Sequence, residues 1–194
     1  MRRGSLVVVL GLVLILGVGC AKPPRGKDPN TPTRTAWMAP PVMNPEVVKA
    51  AQSGLADEAP VVGVVVDGKA RAYSLKALSH SQRHVVNDQI GSIPVSVVYC
   101  DQQDCLRTYT AEHRDRPIEL RQMGYSSSEG LLISLGTMIF SQTTGTAMDP
   151  MKTPLPLQSL DSKRTTWKEW REQHPNTEVY VGDPPVQTPP ADKG

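Results

Sequence analysis

Two dense β-branched runs, Val61–Val66 and Ile93–Val98, constrain this chain most. Branching at Cβ restricts χ1 in a helix but packs well on a pleated sheet, so short continuous runs bounded by turn residues read as buried strands. Asp67-Gly68 follows the first run, and Asp-Gly between β-prone segments predicts a tight hairpin returning through Lys69–Tyr73. The stretch Val61–Thr110 holds both runs, His80, His84, Cys100 and Cys105, and it is where binding or chemistry is expected.

Around this centre the pattern continues in short elements. Asn44 as N-cap, Pro45 at the first helical position and Gly54 beyond the end predict a helix over Pro45–Ser53. Ser74 is placed to cap a helical turn through Leu78. Asn87-Asp88 ahead of Gly91 reads as turn chemistry. Ile93–Cys100 and Cys105–Thr110 form strands around the loop Asp101–Asp104, with weaker strands at Pro117–Met123, Leu131–Ser134 and Met138–Gln142. Thr166 and Glu169 match a capping box, whose helix stops before Pro175. Glu178–Val181 completes the set. Roughly seven short strands and three short helices predict an α+β fold, mainly antiparallel β-sheet with a few short helices.

The first residues are read as an address. Arg2 and Arg3 precede an apolar run, Leu6–Val18, that ends at Gly19-Cys20. That layout predicts a secretory signal over residues 1–19. A small residue directly before a cysteine resembles the lipobox of bacterial lipoproteins, although Gly17 stands where that pattern usually has Leu. The resemblance implies that Cys20 is acylated (palmitate among its chains), becomes the mature N-terminus and anchors the protein to a membrane of the cell envelope. Residues 20–43 then form a Pro-rich tether, with Trp37 and Met38 its two large apolar side chains. Residues 44–181 form a single globular domain and 182–194 a flexible tail. Removing Arg2 and Arg3 with the signal leaves 19 basic against 19 acidic residues, so nothing electrostatic favours a nucleic-acid partner. An extracytoplasmic compartment permits disulfides.

The run Gly68-Lys69-Ala70-Arg71-Ala72-Tyr73, then Val86-Asn87-Asp88, Gly91-x-x-Pro94-Val95 and Tyr99-Cys100, resembles a bacterial family known as domain of unknown function 3179. Thr165-Thr166-Trp167-Lys168-Glu169-Trp170 and His174-Pro175 resemble that family's C-terminal signature. The family brings no established activity; His84, Asn87, Asp88 and Tyr99 are the candidate ligand or site residues of this stretch. It often has His-Glu before Asn-Asp, where this chain has Arg83-His84, and Cys-x-x-Cys where this chain has Cys100-x4-Cys105.

Three readings of the centre stand side by side. Cys100 and Cys105 flank a short loop, so a disulfide between them is expected; the alternatives are a thiolate pair binding copper or zinc with His84, or free redox-active thiols. His84 and Asp88, four apart on a strand, share a face and form a candidate acid–base pair, while a plain backbone hydrogen bond from His84 is the simpler reading. His80 and His113 read as solvated, and His174 as capping the last helix carbonyls. Trp167 and Trp170 fall on one helical face and predict a buried anchor. No nucleotide loop, nucleophile elbow or paired-carboxylate site is present, which leans away from an enzyme. The leading expectation is a membrane-anchored extracytoplasmic binding or structural module of uncharacterised function. A metal-binding or thiol-redox protein is the alternative.

Overall fold

The computed structural model describes residues 39–112, 116–126 and 128–182. The readings placed on the signal, Cys20, Trp37, Met38, His113 and the tail from residue 183 lie outside these.

In chain order the strands begin with β1 Val42–Met43, β2 Val48–Lys49, β3 Pro60–Val66 and β4 Lys69–Ser74. After helix α1 Leu75–Leu78 come β5 Val85–Ile90, β6 Ile93–Cys100 and β7 Cys105–Thr110. Then follow β8 Arg121–Ser126, β9 Gly130–Leu135, β10 Met138–Ser141, β11 Gln158–Ser159 and β12 Ser162–Thr166. Helix α2 Trp167–Gln173 leads into β13 Glu178–Tyr180.

These build three sheets. A front sheet has the order β12-β3-β4-β13-β2, a central sheet β1-β5-β6-β7-β11 and a back sheet β10-β9-β8. Pairing is antiparallel apart from β4 with β13 and β1 with β5. The expected mainly antiparallel architecture with few short helices is what the chain adopts.

The two valine runs sit at the middle of this arrangement. Val62 and Val64 of β3 face Val95 and Val97 of β6 in one core between front and central sheets, closed at one end by Leu75 and Leu78 of α1. The other face of the central sheet, with Val85, Val98, Cys100 and Cys105, packs on Leu131, Ile133 and Phe140 of the back sheet. Every residue of β6 is buried, as a strand covered on both faces must be. Each fully buried valine contributes about 1.5–3 kcal/mol.

The turn at Asp67-Gly68 has positive φ at both residues, 47° and 73°, as a type I′ hairpin requires. Ser74 caps α1 by accepting from the Ala77 N–H. The Thr166 hydroxyl accepts from Glu169 N–H and caps α2. On the outer face of the front sheet, Trp167 and Trp170 are both buried, 0% and 2% exposed. Trp170 lies flat on Gly63, where an added Cβ would come within 2.1 Å of the ring. His174 packs its ring against Trp170, 4.1 Å between centroids, so only its backbone N–H serves as the helix cap.

Two expectations are corrected. The helix over Pro45–Ser53 does not form. Asn44 adopts a left-handed φ of 46° instead of the extended N-cap conformation, Val48 pairs with Val179 at the sheet edge, and only a 3₁₀ turn at Ala50–Gln52 remains. Asn87-Asp88 is no turn but the middle of β5, and the chain reverses at Gly91, φ 65°.

Because Trp170 occupies the space a side chain at position 63 would need, Gly63→Ala should destabilise by about 1–3 kcal/mol and Trp170→Ala by about 3–5 kcal/mol. The double variant should cost clearly less than their sum, since removing the ring removes the clash. Urea denaturation midpoints of the four proteins check this; strict additivity would contradict the contact.

Candidate functional site

Strand β4 carries Lys69, Arg71 and Tyr73 at alternate positions, which places all three on one face of the front sheet. That face looks toward the central sheet. Arg71 stands between the two layers. Its Nη1 donates to both Oδ1 and Oδ2 of Asp88 on β5 at 2.8 Å, and Nη2 donates to Glu178 Oε2 on β13 at 2.6 Å. Tyr73 OH donates to Asp88 Oδ2 at 2.7 Å, and the Gln89 N–H to Asp88 Oδ1 at 2.6 Å. Asp88 is buried, its side chain 3% exposed, so this is an ion pair withdrawn from water and completed by neutral donors.

Burial pushes the Tyr73 hydroxyl well above the usual tyrosine range, and the Asp88 charge beside it pushes further in the same direction. Arg71 is held above its ordinary value: burial opposes this, but the charge and hydrogen bonds of Asp88 outweigh it. One polar atom of the network is left over. Arg71 Nε is buried and has no hydrogen-bond partner.

The network forms the wall of an open groove of about 880 Å³. Lys49, Lys69, Arg71 and Glu178 of the front sheet line one side, Gly91 of the β5–β6 turn another, and His174 to Thr177 beyond α2 a third. Glu178 is the direct cross-strand partner of both Lys49 and Arg71, so the three stand in a row across β2, β13 and β4. Lys69 extends its ammonium across Gly91, where an added Cβ would lie 2.9 Å from Nζ. The motif segments Gly68–Tyr73, Gly91 and His174-Pro175, far apart in the chain, therefore meet at one groove, with Asp88 behind it.

The residues singled out from the sequence are distributed differently. Asn87 points to the opposite face of β5 from Asp88. Its Nδ2 donates to the Leu120 carbonyl at 2.9 Å, and its Oδ1 accepts from Ser96 at 2.8 Å, pinning the approach to β8. Tyr99 OH donates to Asp104 Oδ1 at 2.9 Å, and the Arg164 guanidinium lies 5.5 Å from the ring centroid. Burial, with Asp104 beside it, raises the Tyr99 hydroxyl, whereas Arg164 lowers the Asp104 carboxyl. His84 donates through Nδ1 to the Leu78 carbonyl at 2.9 Å, with Nε2 3.7 Å from Asp101. The His84–Asp88 acid–base pair is not formed, because Asp88 is held by Arg71 and Tyr73. The simpler backbone reading of His84 is the observed one.

Cys100 and Cys105 are direct partners across the β6–β7 hairpin, but Cys100 is a free, buried thiol and the expected bond between them is absent. Burial pushes the Cys100 thiol up, although backbone N–H groups of Gln103 and Gln102 pull the other way. Both cysteines pack in the core shared with the back sheet, whereas His84 turns to the Leu78 carbonyl. Among the described residues no three or more His, Cys, Asp or Glu side chains are grouped to hold a metal ion.

Arg71, Tyr73 and Glu178 were not singled out from sequence. The alternation of long polar residues with Ala70 and Ala72 on β4 was a usable signal for the first two. Glu178 gave none, lying 107 residues from Arg71.

Two outcomes follow from the network. Arg71→Met leaves Asp88 buried and unpaired and should cost about 3–5 kcal/mol, part of which Asp88→Asn recovers in the double variant by removing the stranded charge. Chemical denaturation decides, and a double variant as unstable as the summed single changes would contradict the pairing. Separately, the Tyr73 hydroxyl is raised in the folded state. Its contribution is therefore complete below the unfolded tyrosine value of about 10 and is lost as pH rises from there toward the folded value. Stability should fall above pH ~10, and less steeply in Tyr73→Phe, when unfolding is followed across alkaline pH.

Comparison with curated proteins and with solved structures returned no significant match. The family profile described as protein of unknown function (DUF3179) matches residues 38–188, most of the chain and all of the elements that form the groove. The chain belongs to the DUF3179 family.

Proposed function

We propose that this protein is a lipid-anchored, extracytoplasmic binding module whose ligand enters the groove between β2, β4, β13 and the β5–β6 turn. The observation that carries the reading is the convergence of three separated motif segments on one open groove of about 880 Å³, a size suited to a small ligand or a short polymer segment. The groove floor is fixed by buried ion-paired side chains, so the site is preformed, which lowers the ordering cost of binding. The burial of Cys100, away from the groove, supports binding over thiol chemistry.

Anchoring rests on Arg2, Arg3, the apolar run and Gly19-Cys20. Acylation of Cys20 holds the domain at a membrane of the cell envelope, and residues 20–43 set its distance from the surface. One acyl chain binds only marginally, so stable attachment needs the several chains a lipoprotein cysteine carries. Among the described residues no helix is long and apolar enough to cross a membrane.

Cys20→Ala should abolish acyl labelling and move the protein from the membrane fraction to the soluble fraction, or leave it unprocessed. Label retained by that variant would remove the anchor from this reading. Binding is tested independently by amide chemical-shift mapping against small-molecule, glycan and peptide libraries, and shifts should cluster at Lys49, Lys69, Gly91 and Glu178.

A further inference from the structure

Resting on the groove as a binding site, we infer that its ligand carries a carboxylate or phosphate group, and that Glu178 occupies the place of that group in the unliganded protein. A guanidinium offers two parallel donors along the edge formed by Nε and Nη2, the geometry that grips a carboxylate or phosphate in bidentate fashion. In Arg71 that edge is half used. Nη2 donates to Glu178 Oε2 at 2.6 Å, while Nε is buried without a partner. The other side of the guanidinium is committed to Asp88, which fixes the plane of the fork.

Glu178 is suited to exchange. Its side chain is 46% exposed, against 3% for Asp88, so the two carboxylates on Arg71 differ sharply in how firmly they are held. Its cross-strand neighbour on the far side is Lys49, which has no ion-pair partner among the described residues and is placed to receive the displaced carboxylate. Lys69 likewise has no ion-pair partner there. It reaches across Gly91 at the groove, where its ammonium adds a second positive charge for the incoming group. An oxyanion in the groove takes Nε and Nη2 of Arg71 together, satisfies the orphaned donor and meets Lys69, while Glu178 swings to Lys49. No covalent step is involved.

The test is a titration of the folded domain with inorganic phosphate and with citrate, glucose serving as the uncharged control, read by the Arg71 Nε–H resonance and the amides of Lys69, Gly91 and Glu178. The expected result is a saturable shift of the Nε–H signal with at least one anion, the tighter of the two assigning phosphate or carboxylate chemistry. Glu178→Gln removes the internal competitor and should tighten binding by on the order of tenfold, and Lys69→Gln should weaken it by a similar factor. Glu178→Gln lies at a half-exposed position, so its folding is not in doubt, and it is the deciding variant. Unchanged or weaker anion binding in Glu178→Gln overturns the exchange. Groove amides that respond to neutral library compounds but to neither anion overturn the ligand class and leave the binding-module reading standing. A groove that responds to nothing overturns both.

Discussion

The ion pair between Arg71 and Asp88 joins the two five-stranded sheets, and much of the molecule is arranged to tolerate it. Removing a guanidinium and a carboxylate from water costs several kcal/mol per ion, which a buried pair recovers only when the remaining donors and acceptors are also satisfied. Asp88 meets that condition with Tyr73 and the Gln89 N–H. Arg71 does not, since Nε is left over. The network is complete around Asp88 and leaves one buried donor of Arg71 over.

The central sheet separates two chemistries that looked adjacent in the sequence. Alternation along β5 and β6 sends Val86, Asp88, Val95 and Val97 toward the front sheet, and Val85, Asn87, Val98 and Cys100 toward the back sheet. Neighbouring motif residues such as Asn87 and Asp88 consequently serve different layers. The first pins the approach to β8 and the second anchors the groove.

The strands were legible wherever the signal was local: β-branched runs, Asp67-Gly68, and the capping residues Ser74 and Thr166. The cross-strand placement of Cys100 opposite Cys105 was also legible, because a four-residue loop fixes the register. What was not legible depended on partners far along the chain. Asn44, Pro45 and Gly54 are sound helix punctuation, yet edge pairing of Val48 with Val179 decides the segment. The bond expected between Cys100 and Cys105 is not formed, although the register places the two directly opposite. Alternation on β4 put Lys69, Arg71 and Tyr73 on one face, but only the fold shows that this face meets Asp88 and Glu178.

The position of β13 carries a consequence for how the domain is made. It lies between β4 and β2, hydrogen-bonded to both, although it follows every other strand of the described residues. The hairpin of β3 and β4 can close early, from contacts a few residues apart, but its sheet has an open edge until residues near 180 arrive. Pairings of such long sequence separation are slow to form, because loop-closure entropy is lost before the contacts compensate for it. A growing chain therefore stays short of its native front sheet until residues near 180 have emerged. Arg71 and Glu178 meet only at that last step, so the groove is completed by the closing strand itself.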